Sequence, residues 1–323
     1  MNLWLGSFLF TTTALLAGCS VFSHPHELDP RPLEPGSLPA PDVAVEIAGL
    51  EPCTDSPDHT LRFNSGQPVT VLVHGCNGSA GRFRSLAQLY AFHGQQAVCF
   101  GYDTRESLVA SSSKLIAALG ELAGHLRDRE VAVIGHSVGG LVARKAMEAE
   151  RRGEWKRSDV SISLATVSSP LGGIAVAATC GSKAMQWLTL GTVPAMCWAI
   201  SGDSWDEITP ASSFIREPGP LLDSVRRYVK VVTDERATCR RRNDAGACLE
   251  SDHVFSVAEQ HQPVIDRYPR LANVEVAAGH VEIVGYKEVP PRKLVAILQQ
   301  QGMLEPTPPG RAAALERLLA ELY

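Results

Sequence analysis

The segment VAVIGHSVGG (131–140) sets Ser137 in a G-x-S-x-G frame, Gly135-His136-Ser137-Val138-Gly139. A β-branched run precedes it and a helix-like run follows. A sharp strand-to-helix turn at that point lifts a serine hydroxyl out of a sheet, and flanking glycines leave the backbone room to turn. The helix N-terminus behind the serine favours negative charge developing beside it. This is the setting of a nucleophile for acyl transfer. A serine alone is a weak nucleophile, so the reading requires a base within reach and a carboxylate to orient that base. Upstream, VLVHGCNG (71–78) ends a second apolar run with His74-Gly75-Cys76-Asn77-Gly78.

The elements that must position these residues alternate along the chain. PVTVLVHG (68–75), QAVCFGYD (96–103), VAVIG (131–135), DVSISLATVSS (159–169), YVKVVTD (228–234) and NVEVAAG (273–279) read as strands. Helix-like segments follow at 81–92, 106–126, 138–152 and 291–301. Strands separated by helices favour an α/β architecture, a mostly parallel sheet covered by helices on both faces. The stretch 171–225 breaks the rhythm with Ala, Trp and Gly and no convincing strand, as a cap or lid insertion does. After PTPPG (306–310) the chain ends in an amphipathic helix, 311–322. The expected organisation is a main domain over 43–305 with that insertion, then a terminal helix over 306–323.

Taken together, the G-x-S-x-G turn and the H-G-x-x-G form at 74–78 resemble the α/β-hydrolase superfamily on its lipase and esterase side, over roughly residues 65–300. The resemblance implies a Ser-acid-His triad in that chain order and an acyl-enzyme intermediate. It makes Ser137 the nucleophile and the backbone N–H groups of Cys76 and Val138 the oxyanion donors. His74 becomes a structural residue under the loop. His280, just past the last strand in AAGH, takes the place of the family's base. LESDHVFSVAEQ (249–260) resembles the D-x-V-V-x-x-x-S stretch, which makes Asp252 the acid; Asp234, ending the preceding strand, is the rival, and Glu235 comes third. SSPLGGIAVA (168–177) and TPASSFIRE (209–217) are similar to segments that flank the lid in such lipases, or else are plain packing segments. The implied activity is ester hydrolysis, with acyl transfer or amide cleavage on the same triad, or a scaffold that only binds, as alternatives. Trp187, Trp198 and Trp205 in the insertion either line an acyl site, favouring an apolar, lipid-like acyl group, or fill the core of the cap.

The N-terminus bears on compartment. None of the first 25 residues is charged, and the apolar stretch from Leu3 ends in Leu16-Ala17-Gly18-Cys19. This resembles the lipobox of bacterial lipoproteins, which implies cleavage of 1–18, acylation of Cys19 and attachment to a membrane in the cell envelope. Residues 23–42 hold six prolines and read as part of a tether over 19–42. Seven cysteines follow Cys19, none with C-x-x-C spacing, so an exported chain is expected to form disulfides. Cys239 with Cys248 and Cys180 with Cys197 are the candidate pairs, while Cys53, Cys76 and Cys99 are unassigned and the odd count leaves one thiol over. A net charge of −5, from 30 bases and 35 acids, removes the electrostatic case for nucleic acid. No metal or cofactor motif is present, and nothing points to an obligate protein partner.

Overall fold

The computed structural model describes residues 28–323 except 77, 158, 176 and 178–201. The signal segment, Cys19, Cys180, Cys197, Trp187 and Trp198 lie outside the described residues. The strands are β1 (Val43–Val45), β2 (Leu50–Glu51), β3 (Leu61–Phe63), β4 (Val69–Val73), β5 (Gln96–Phe100), β6 (Glu130–His136), β7 (Ser161–Val167), β8 (Val225–Asp234), β9 (Cys239–Arg242), β10 (Cys248–Ser251) and β11 (Leu271–Ala277). The longer helices are α1 (Arg84–Phe92), α2 (Leu108–His125), α3 (Val138–Ala146), α4 (Arg292–Gln300) and α5 (Ala312–Leu322).

Seven strands form one sheet in the order β11-β8-β7-β6-β4-β5-β2. All neighbours pair in parallel except β2, which closes one edge antiparallel to β5. The expected α/β architecture is the one observed. Buried parallel strands carry apolar residues on both faces, and β4 shows this directly: each of its residues is buried. Val69, Val71 and Val73 face a core shared with Leu115 and Leu119 of α2 and Leu141 of α3. Leu72 faces the other core, with Leu89 of α1, Leu294 and Leu298 of α4 and Leu319 of α5. Each fully buried leucine contributes about 1.5–3 kcal/mol relative to exposure.

Several boundaries differ from the sequence expectation. The helix expected to reach 152 stops at Ala146: Glu148 is extended, with φ −73° and ψ 146°, and its carboxylate accepts from Lys145 at 2.7 Å and from Arg144. A separate short helical turn, Ala149–Gly153, follows. The segment between Cys239 and Cys248 is a hairpin of β9 and β10 that the sequence reading did not anticipate. From Asp29 onward the proline-rich segment lies against the domain. The Asp29 N–H donates to Asp55, the Arg84 guanidinium to the Arg31 and Pro32 carbonyls, and Gln88 exchanges two hydrogen bonds with the Glu34 backbone. The last helix also packs on the domain, burying Leu319 and pairing Glu316 with Arg292 at 2.6 Å.

Cys239–Cys248 is a disulfide, as expected, and Cys53–Cys99 is a second, fixing the segment before β3 to β5. No described cysteine is free. No described helix is long and apolar enough to cross a membrane.

Candidate active site

The sheet register assembles the site. His136 pairs with Val167, Val167 with Val231, and Ala277 with Asp234, so the carboxyl ends of β6, β7, β8 and β11 stand side by side. The residues just past those ends are Ser137, Ser168, Glu235 and, after a short turn, His280. Ligands of open α/β sheets bind at such carboxyl ends.

Ser137 occupies the turn between β6 and α3 with φ +58°, a left-handed conformation that non-glycine residues seldom hold. The two glycines of the frame are required by close approach. A Cβ at Gly135 would collide with the backbone of Gly139 and Gly140, and one at Gly139 with the carbonyls of Val73 and His74. Val138 is the first residue of α3, so its N–H is one of the first-turn donors without an intrahelical acceptor. Cys76 shares a cleft with Ser137, His280, Phe83, Val281 and Val284. Cys76 is itself disulfide-bonded, so its sulfur is no nucleophile. His74 is buried beneath the loop. Its Nδ1 lies 2.9 Å from the Gly75 carbonyl, its ring stacks on Tyr102 at 4.6 Å, and the Tyr102 hydroxyl donates to its carbonyl.

His280 Nε2 is 3.1 Å from Ser137 Oγ. On the other side of the ring, Nδ1 is 3.2 Å from Glu235 Oε1 and 2.8 Å from Ser168 Oγ. The carboxylate at the ring is therefore Glu235, not Asp252. Glu235 has no side-chain exposure, and its Oε2 accepts the N–H groups of Val254 and Phe255 at 2.6 and 2.9 Å. Burial alone raises its pKa. The hydrogen bond and charge of His280 and those two N–H donors outweigh burial and bring it down to about 2. Glu235 is thus an anion across the neutral range.

Asp252 is buried too, but faces the backbone. Its carboxylate accepts the N–H groups of Val281 and Glu282 at 3.0 to 3.2 Å and pairs with Arg240 at 2.6 Å, while its carbonyl accepts the His280 N–H. Asp234 pairs with the exposed Arg236 at 2.6 Å, and this bond lowers its pKa to about 2. Neither aspartate is within hydrogen-bond reach of the His280 ring.

Four residues the sequence reading did not single out belong to this site. Ser168 and Thr233 form a buried hydroxyl pair around Glu235. His136, inside the G-x-S-x-G frame, sits 2.8 Å from the His280 carbonyl, and its ring lies 4.8 Å from that of His280. Burial first, and the charge of His280 next, bring His136 down to about 3, so it is neutral and its Nε2–H donates to that carbonyl. Phe255 packs edge-on against the other side of the His280 ring at 4.8 Å. The His280 ring is held on three sides. A wider groove of about 990 Å³ adjoins the cleft at His74 and Gly78 but contains neither Ser137 nor His280. Among the described residues no cluster suited to a metal ion is present.

No protein-family model and no curated protein sequence matches the chain. Solved structures do match it. The propeptide form of the Bacillus licheniformis lipase BlEst2 superposes with a TM-score of 0.52 at 15% identity, over 82% of this chain and 53% of that one. This chain therefore spans about half the length of that precursor. The mature form of the same lipase gives 0.49 at 16% identity, over 73% and 91%, and the Pyrococcus furiosus esterase PF2001 gives 0.44 at 14% identity, over 85% and 98%. At such identities the likeness is one of fold, and the fold is that of the α/β-hydrolases.

Proposed function

We propose that this chain is a serine ester hydrolase in which Ser137 attacks a carboxylic ester, His280 takes and returns the proton, and Glu235 orients His280. The observation that carries the reading is the line from Ser137 Oγ through His280 to Glu235, with hydrogen-bond contacts of 3.1 and 3.2 Å on a strained turn. In acylation the Ser137 proton passes to His280 Nε2 as Oγ bonds to the acyl carbon. The imidazolium then returns it to the departing alcohol, and water repeats the sequence to release the acid. The N–H groups of Cys76 and Val138 would stabilise the tetrahedral oxyanion; loss of one such donor costs on the order of 10²–10³ in rate.

An apolar acyl group is supported by the three tryptophans of the 171–225 insertion. Each methylene accommodated in a pocket adds about 0.8 kcal/mol, close to fourfold in binding. The lipobox-like Leu16-Ala17-Gly18-Cys19 supports acylation at Cys19 and attachment to a bacterial envelope membrane, and the two disulfides accord with an oxidising compartment.

The test is hydrolysis of p-nitrophenyl esters of increasing chain length, together with labelling by a fluorophosphonate. Ser137→Ala should lose the label and on the order of 10⁴–10⁶ in kcat. Retained activity or labelling in Ser137→Ala would overturn the reading.

A further inference from the structure

Ser168 is the first residue beyond β7 and is fully buried. Like Ser137, it holds a left-handed backbone, with φ +45°. A non-glycine residue keeps such a conformation only where its surroundings impose it, and such residues concentrate at functional sites. Here the conformation coincides with a specific placement of the hydroxyl. Ser168 Oγ lies 2.8 Å from His280 Nδ1 and 2.7 Å from Glu235 Oε1, and Thr233 Oγ1 is 2.7 Å from it. The direct contact between Nδ1 and Glu235 is the longer one, at 3.2 Å.

We propose that Ser168 is a positioning residue that relays the hydrogen bond between His280 Nδ1 and the Glu235 carboxylate. This inference rests on the serine-hydrolase reading of Ser137 and His280.

Proton counting fixes the direction of the relay. Glu235, ionised and buried, carries no proton and only accepts. The single Ser168 proton is drawn to that anion, which leaves an oxygen lone pair free to accept the His280 Nδ1–H. With its proton held on Nδ1, the ring presents a bare Nε2 to Ser137, the tautomer a general base needs. Were the Ser168 proton directed to Nδ1 instead, Nε2 would carry the hydrogen and could not accept one. The hydroxyl therefore does two things for the base. It selects the tautomer, and it extends the reach of Glu235 to the imidazolium formed when Ser137 is deprotonated. No proton crosses the relay; only hydrogen bonds strengthen as the charge on the ring appears.

The experiment compares Ser168→Ala and Ser168→Gly in the wild-type and Glu235→Gln backgrounds. It follows kcat and KM on a p-nitrophenyl ester, thermal stability, and the downfield Nδ1–H proton resonance of His280. Both Ser168 variants lack the hydroxyl, whereas only Gly relieves the backbone strain, so both should lose about 10- to 100-fold in kcat with KM little changed. Once Glu235→Gln has broken the chain, the same substitutions should cost no more than about threefold further, since members of one chain act as a unit. The Nδ1–H resonance should move upfield in both Ser168 variants. The proposal is overturned if Ser168→Ala keeps wild-type kcat, if Ser168→Gly restores it, if the losses multiply in the two backgrounds, or if the resonance stays in place. A wild-type protein that hydrolyses no ester would sink the hydrolase reading instead, and the resonance would then decide the Ser168–His280 hydrogen bond alone.

Discussion

Two buried carboxylates flank His280 and do different work. Glu235 meets the ring: its Oε1 lies 3.2 Å from Nδ1, within a nest of hydroxyls. Asp252 meets the backbone on either side of the residue's own carbonyl, taking the N–H groups of Val281 and Glu282 on its carboxylate and that of His280 on its carbonyl. Their counter-charges differ as well. Glu235 is balanced by His280 only when that ring is protonated, whereas Asp252 is permanently balanced by Arg240, whose side chain is 6% exposed. An acid tied to a fixed arginine anchors a loop; an acid whose cationic partner, among the described residues, is an imidazole can respond as charge develops there. Proximity to the histidine does not distinguish these roles, and side-chain direction does.

The sharpest way to break the comparison is to neutralise each acid. Glu235→Gln should lower kcat by about 10³–10⁴, because the ring loses the anion that selects its tautomer. Asp234→Asn should leave kcat within about twofold, since its carboxylate faces Arg236 at the surface. If Asp252→Asn shows the large kcat loss and Glu235→Gln does not, the two roles are reversed.

Asp252→Ala tests the anchoring role. It removes the 2.6 Å partner of Arg240 but leaves Glu250 at 3.6 Å, so the loss should stay below the roughly 3–5 kcal/mol of a buried charge with no partner at all. Urea unfolding should show that loss. At a temperature where the variant is still folded, kcat should fall by less than about tenfold, because Glu235, Ser168 and His136 still hold the ring. An unchanged unfolding midpoint would mean that Arg240 finds other partners and that the clamp contributes little.

The same comparison shows where sequence reading reaches its limit. The turn at Ser137 was legible because it combines a β-branched strand, two glycines at fixed offsets and a helix start, each with its own steric reason. His280 was legible from its place after the last strand. The carboxylate at the His280 ring was not, because both Asp252 and Glu235 lie between β8 and β11 and both touch His280 or its neighbours. The motif around Asp252 pointed to it as the acid, yet its carboxylate binds the backbone of the histidine loop, and spacing carries no information on whether a carboxylate points at a ring or at a backbone. Ser168 was invisible for a related reason: serine before Ser-Pro gives no sign that its backbone turns left-handed. The short strands β1 to β3 escaped because two or three residues show no period, and the β9–β10 hairpin because its arginines look like a solvated loop. Arg240 in fact turns inward to Asp252.

Acid titration separates the polar groups by window. The folded Glu235 titrates near 2 and an unfolded glutamate near 4.5, so its contribution is complete above 4.5 and is lost as pH falls toward 2. His136 acts in a higher window. It resists protonation down to about 3 while the unfolded ring takes a proton near 6.5, so stability falls as pH drops from 6.5 toward 3. Thermal midpoints measured against pH should therefore decline in two overlapping stages. Glu235→Gln should flatten only the lower one and His136→Asn only the upper. A Glu235→Gln profile parallel to wild type below 4.5 would show that the carboxylate is not held ionised by His280.

The smallest expected effect lies in the hairpin that carries Arg240. Cys239 and Cys248 are nine positions apart, and closing a loop of about ten residues contributes roughly 2.7 kcal/mol in the chain-entropy model. Removing the bridge by Cys239→Ser with Cys248→Ser should cost up to that amount in unfolding free energy. It should leave kcat within about threefold, because Arg240 reaches Asp252 through its own buried guanidinium rather than through the disulfide. The expected pattern is thus a protein easier to unfold but still competent. If kcat falls in step with Asp252→Ala, the bridge is what holds Arg240 in place, and the hairpin, the arginine and the aspartate form a single support for the His280 loop.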